Sequence, residues 1–193
     1  KKVAWFNGGR SGATTLDFLP GTPNNQKIIQ AADAFQDQIR QSSAADRLTS
    51  ALLFSIMLGT NDSAIEGTNG APVSPDKYQQ NLQIKIDTLL SRYPGCRVVL
   101  QEAPWYSDNT YNGAKYLSAG RRRLLSYNPK LKGLADHYKR IHPGRVFLGD
   151  QSAFGYFRKN FKKDMAPENG HKGVFYLHPN KEGSSVLGQK WAK

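Results

Sequence analysis

The sequence predicts an α/β fold, a mostly parallel sheet held between helices as a three-layer α/β/α sandwich. Three observations lead there. Four short apolar runs are each bounded by turn residues, as strands buried on both faces are. Segments with apolar residues at helical spacing lie between them. Each apolar run also ends in a polar or glycine-bearing turn, and parallel sheets gather functional groups at those strand ends.

In chain order, the first expected strand is residues 3–6 ("VAWF"), followed by the turn "NGGRSGATT" at 7–15. A helix is expected over 27–44, where Ile28, Ile29, Ala32, Phe35 and Ile39 recur near helical spacing. The second strand, 52–58 ("LLFSIML"), runs into "LGTNDS". A helix over 75–93 has Ser74 to cap it, Pro75 in its first turn and a stripe of Tyr78, Leu82, Ile86, Leu89 and Leu90. The third strand, 97–103 ("RVVLQEA"), opens onto a loop holding Trp105, Tyr106, Tyr111 and Tyr116, which suit either sugar stacking or loop packing. Residues 115–141 read as one broken helix or two, and 145–148 ("RVFL") as the fourth strand. Asn180 is placed to cap a last helix. The Gly/Pro/Asn-rich stretches at 20–25, 67–75, 107–113 and 167–173 read as surface loops.

Residues 1–193 make one domain, large enough to bury a core. No apolar run approaches the ~18 residues of a membrane span. The net charge of +12, clustered at 121–123, 139–140 and 158–163, attracts anions, but no nucleic-acid-binding motif accompanies it and no nucleic-acid partner is expected. The aromatics of "FGYFRKNFKK" read more readily as core than as a stacking platform. Cys96 is alone, so no internal disulfide forms, and no cofactor or metal is expected from the spacing of the histidines.

Three short stretches bear on chemistry. In "LGTNDS", Asn61 stands at a strand's carboxyl end, where a carboxamide either stabilises an oxyanion or simply closes an Asx-turn. In "NGGRSGATT", Gly8, Gly9 and Gly12 allow positive φ, and exposed amides, that of Gly12 above all, can face an anionic oxygen. In "FYLHPNKEG", His178 precedes the last helix in a Pro/Asn loop, as a general base or as a structural histidine.

Taken together and in this order, "NGGRSGATT", "LGTND" and "LHPNKEG" resemble the second, third and fifth sequence blocks of the SGNH (GDSL-like) hydrolases. The likeness covers nearly the whole chain, since "YQQNLQIKIDTLLSRYPGCRVVLQEAPW" falls where that family has its long helix and fourth strand, and "RVFLGDQSAF" where it has its last. The resemblance implies a parallel, flavodoxin-like sheet and a serine esterase. It makes Gly12 and Asn61 the oxyanion donors and His178 the base. It implies an acylated carbohydrate as substrate, an acetyl ester foremost, and a secreted or periplasmic protein.

Two features depart from the family pattern. The block carrying the nucleophilic serine has no counterpart before "NGGRSGATT", and Gln151 breaks the motif in "LGDQSA". If 3–6 is the family's second strand, the centre of the sheet is empty, and a complementing segment or chain that supplies the serine is expected there. The alternative makes 3–6 the central strand and Ser11 the nucleophile. The second departure is Phe175, three residues before His178, where the family has a carboxylate; Asp150, Asp164, Glu168 or a backbone carbonyl remain as substitutes. A catalytically impaired, glycan-binding relative is the other reading of both departures.

Overall fold

The computed structural model describes residues 3–192, with backbone alone at 45, 48 and 49. Three parallel strands stand side by side in chain order: β1 (Leu53–Ile56), β2 (Arg97–Leu100) and β3 (Val146–Leu148). Their register aligns Phe54, Val98 and Val146 in one row and Ile56, Leu100 and Leu148 in another. Because side chains alternate across a strand, these rows form one apolar face. Two helices belong to the core on this face: α3 (Pro75–Arg92) contributes Tyr78, Leu82, Ile86 and Leu89, and α4 (Leu117–Ile141) contributes Leu124, Tyr127, Leu131 and Tyr138. The stacked rings of Tyr78 and Tyr127, 4.1 Å apart, join the two helices. The Ser74 side chain accepts the Lys77 N–H at 3.2 Å and starts α3 as its sequence predicts.

Residues 115–141 were ambiguous between one helix and two, and α4 runs through Pro129 as one. The proline removes one intrahelical donor, whose acceptor would be the carbonyl of Leu125. Leu125 stands on the exposed side of the helix, where water can take the place of that bond. α1 (Pro23–Gln41) lies beside α3, tied to it by the Arg92–Asp33 ion pair at 2.6 Å and by a buried Lys85–Asn25 hydrogen bond. A short helix, α2 (Ala44–Thr49), leads into β1. Cys96 is buried in the main core, as its apolar surroundings in the sequence imply.

The opposite face of the sheet carries Leu53, Ser55, Val99 and Phe147. It is partly open: Leu53 is 64% exposed and Phe147 42%. The end of α6 (Lys181–Trp191) approaches it across a cleft of about 610 Å³ lined by Val99, Phe147 and Trp191. The described residues thus form an α/β fold around a parallel sheet, compatible with a three-layer sandwich, with helices well packed on one face.

Two expectations are corrected, besides the loop reading of 20–25, whose last three residues open α1. Residues 3–6 join no sheet: Val3 is 86% exposed and Trp5 80%, and their backbone groups are left to water. A strand needs an adjacent edge in register, and none meets this segment. The outer edge of β1 likewise has no strand beside it among the described residues. Second, 167–173 is no loop. It belongs to an antiparallel hairpin of β4 (Met165–Gly170) and β5 (Gly173–Pro179). Pro167, the first residue of that stretch, falls at a register shift, where a strand tolerates proline. The sequence reading also left out α5 (Ala153–Asp164), whose Phe157 sits with Trp105, Met165 and Leu187 in a second, smaller core.

Candidate active site

The glycine-rich turn and the loop after β1 are fastened together by buried polar contacts. Gly12 has φ +75°, a conformation that favours glycine, and the Ala13 N–H closes the turn on the Arg10 carbonyl at 3.2 Å. The chain then enters a 3₁₀ turn, Thr15–Phe18. Here the Thr14 N–H donates to Asp17 at 2.8 Å and the Thr14 hydroxyl donates to the Asn69 carbonyl at 3.0 Å. Thr15 donates its N–H, at 3.0 Å, and its hydroxyl to the enclosed carboxylate of Asp62, and it accepts from Asn81 Nδ2 at 2.9 Å. Burial pushes the Asp62 carboxyl above its ordinary value, while the hydrogen bonds from Thr15 pull the other way.

Asn61, next to Asp62, has its carboxamide held at both ends. Its Nδ2 donates to the Ala13 carbonyl at 2.8 Å, and its Oδ1 accepts the Tyr116 hydroxyl at 2.7 Å. A carboxamide nitrogen carries two hydrogens. One is spent on Ala13, and no hydrogen bond among the described residues takes the other. The Asx-turn alternative for Asn61 is not what forms: both of its side-chain bonds run across the fold, and only its backbone carbonyl bonds within the loop. Gly59, at φ +124° in the loop after β1, stands where an added side chain would press on Tyr78 and Tyr127.

His178 lies on β5 rather than in a loop, with its side chain 63% exposed. Its Nδ1 is 2.9 Å from Glu168 Oε1 on β4, and its backbone N–H also points to that oxygen at 3.3 Å. Its Nε2 has no hydrogen-bond partner among the described residues. The other acidic candidates are engaged elsewhere. Asp150 accepts from the N–H groups of Ser152 and Ala153 at the start of α5, and Asp164 accepts the Tyr156 hydroxyl at 2.6 Å.

The structure therefore joins the Gly12 turn to Asn61 directly, but no hydrogen bond connects either to His178. The link runs through the loop after β2. Ser107 exchanges hydrogen bonds with Tyr176 on β5 at 2.8 and 2.9 Å, and the neighbouring Tyr106 hydroxyl contacts Ser63 Oγ at 2.9 Å. Tyr106 also packs edge-on against Tyr116, the residue that holds Asn61. Trp105, Tyr106 and Tyr116 are buried, which corrects the sugar-stacking reading for these three; Tyr111 is partly exposed and packs against His171. Ser11 is exposed on the turn. Tyr116 and Asp62 are the positioning residues that the sequence reading missed. Only the Asn61–Asp62 pairing and the two threonines hinted at them.

The model of the GDSL-like lipase/acylhydrolase family matches residues 2–186, nearly the entire chain. The chain belongs to that family. No curated protein matches it. Membership assigns ester hydrolysis as the general chemistry of this acylhydrolase. The arrangement suits it: a carboxamide donor beside a left-handed glycine turn offers hydrogen bonds to a developing oxyanion, and an exposed imidazole with a free Nε2 can take up a proton.

Proposed function

We propose that this acylhydrolase is a serine esterase that removes acyl groups, acetyl foremost, from carbohydrate. The observation that carries the reading is the Asn61 carboxamide, pinned between Tyr116 and the carbonyl of Ala13, the residue after Gly12. In this mechanism a serine hydroxyl attacks the ester carbonyl and His178 Nε2 takes its proton. The Gly12 N–H and Asn61 Nδ2 hold the oxyanion. The carbonyl re-forms as the sugar alkoxide departs, taking that proton from His178. Water, deprotonated by the same imidazole, then releases the acid and restores the serine.

The serine comes from a segment or chain that pairs along the open edge of β1. The free ladder groups there, with Leu53 exposed beside them, support a further strand. Ser11 on its exposed turn is the alternative nucleophile. The carbohydrate assignment rests on the family resemblance, and the surplus of positive charge favours an acidic glycan. A glycan-binding protein without catalysis fits less well, since burial of Trp105, Tyr106 and Tyr116 removes the stacking surface it would use.

The test is turnover of p-nitrophenyl acetate and release of acetate from acetylated glycans, followed by labelling with a serine-reactive phosphonate. Label on a serine of a co-purifying segment supports the proposal as stated. Label on Ser11 moves the nucleophile into this chain. Absence of both turnover and label overturns the esterase reading.

A further inference from the structure

We infer that Glu168 is the residue that orients His178, a carboxylate delivered from the neighbouring strand. The inference rests on His178 being the base of the proposed esterase. Its starting point is the position three residues before the histidine, which holds Phe175. On a strand, residues three apart project to opposite faces. β5 runs through both positions, and Phe175 is 1% exposed while the His178 ring stands in solvent. A carboxylate at 175 would point into the apolar core, unpaired, and away from the imidazole it should serve. A carboxylate at the usual spacing would therefore be buried in the core here.

Glu168 is the cross-strand partner of Phe175 in the β4–β5 register, so it leaves the hairpin on the same face as Phe175, but its side chain is 28% exposed and not enclosed in the core. Its side chain is long enough to reach along the hairpin to His178. One oxygen, Oε1, receives the ring Nδ1 at 2.9 Å and the backbone N–H of the same residue at 3.3 Å. Two donors from one residue fix the carboxylate and the ring together. With Nδ1 held as a donor, the neutral imidazole keeps its lone pair on Nε2, the nitrogen facing away from Glu168 and open to a hydroxyl. Glu168 is a positioning residue: it acts through His178 and touches no substrate.

The tautomer is the decisive readout, because it is independent of turnover. Nitrogen-15 shifts of the His178 ring, read through its carbon-bound protons, report which nitrogen is protonated. In the parent chain the neutral ring is expected as the Nδ1–H form. Glu168→Ala is expected to mix the tautomers and to lower kcat about 100-fold with KM nearly unchanged. Glu168→Gln, which keeps an acceptor but loses the charge, is expected to retain more of the Nδ1–H form and to fall between the two in kcat. A tautomer unaltered by Glu168→Ala in a chain that melts normally overturns the inference. The underlying reading fails separately: if the tautomer shifts in Glu168→Ala but His178→Gln leaves esterase turnover intact, Glu168 orients a histidine that is not the base.

Discussion

The carboxylate of Asp62, wholly enclosed, accepts both the N–H of Thr15, at 3.0 Å, and that residue's hydroxyl. Forty-seven residues separate the two in sequence. This contact sets the Gly12 turn against Asn61, because Thr15 follows that turn and Asp62 follows that asparagine. Buried donors left without an acceptor cost more than the bond itself contributes. Asp62→Ala is therefore expected to lower stability by about 2–4 kcal/mol, measured by urea unfolding. Asp62→Asn, which keeps one acceptor, should lose less.

Asn61→Ala removes the carboxamide donor and leaves the Tyr116 hydroxyl without its acceptor. Loss of one oxyanion donor costs on the order of 10²–10³ in kcat. Steady-state kinetics on p-nitrophenyl acetate should show that loss with little change in KM. An equal fall in ground-state affinity for a substrate analogue would argue against an oxyanion role.

Gly12→Ala tests the turn without crowding it, because no heavy atom lies within 4 Å of the added methyl. The remaining cost is the left-handed backbone at φ +75°, about 1–2 kcal/mol. Thermal melting is expected to register that loss, and turnover to fall if the Gly12 amide tilts away from its present direction.

Glu102 supplies a pH dependence. It is 7% exposed, and its carboxylate has no hydrogen-bond or ion-pair partner among the described residues. Burial, helped by the charge of Asp150, pushes its pKa up to about 7 from an ordinary 4.5. Between those values the folded chain holds a proton that the unfolded chain has released. Stability contributed below about 4.5 is thus lost as pH rises toward about 7. Glu102→Gln should flatten that slope and raise stability at pH 8 by about 1–3 kcal/mol, read from unfolding curves across the range.

Much of the fold could be read from periodicity. The stripe from Tyr78 to Leu90 became the buried side of α3, and Ser74 and Asn180 cap their helices as their positions imply. Three of the four expected strands lie in the parallel sheet, somewhat shorter than predicted. The β4–β5 hairpin was hidden because Pro167, Asn169, Gly170 and Gly173 carry loop chemistry, while the strand is made by pairing with its neighbour. α5 was hidden because "FGYFRKNFKK" alternates aromatic and basic residues without a clean stripe, and its one deep anchor, Phe157, meets side chains remote in sequence.

For the site, the sequence by itself determined the family and marked out Gly12, Asn61 and His178 as candidates, since these lie in short stretches whose residue types and order are visible in one dimension. It also showed that the customary carboxylate position is occupied by Phe175. Only the tertiary structure decided which groups meet: Asp62 on Thr15, Tyr116 on Asn61 and Glu168 on His178. Each is a side chain brought to its partner by strand register or loop packing. Hydrogen bonds act over about 3 Å, and that distance is set by the fold whatever the separation along the chain.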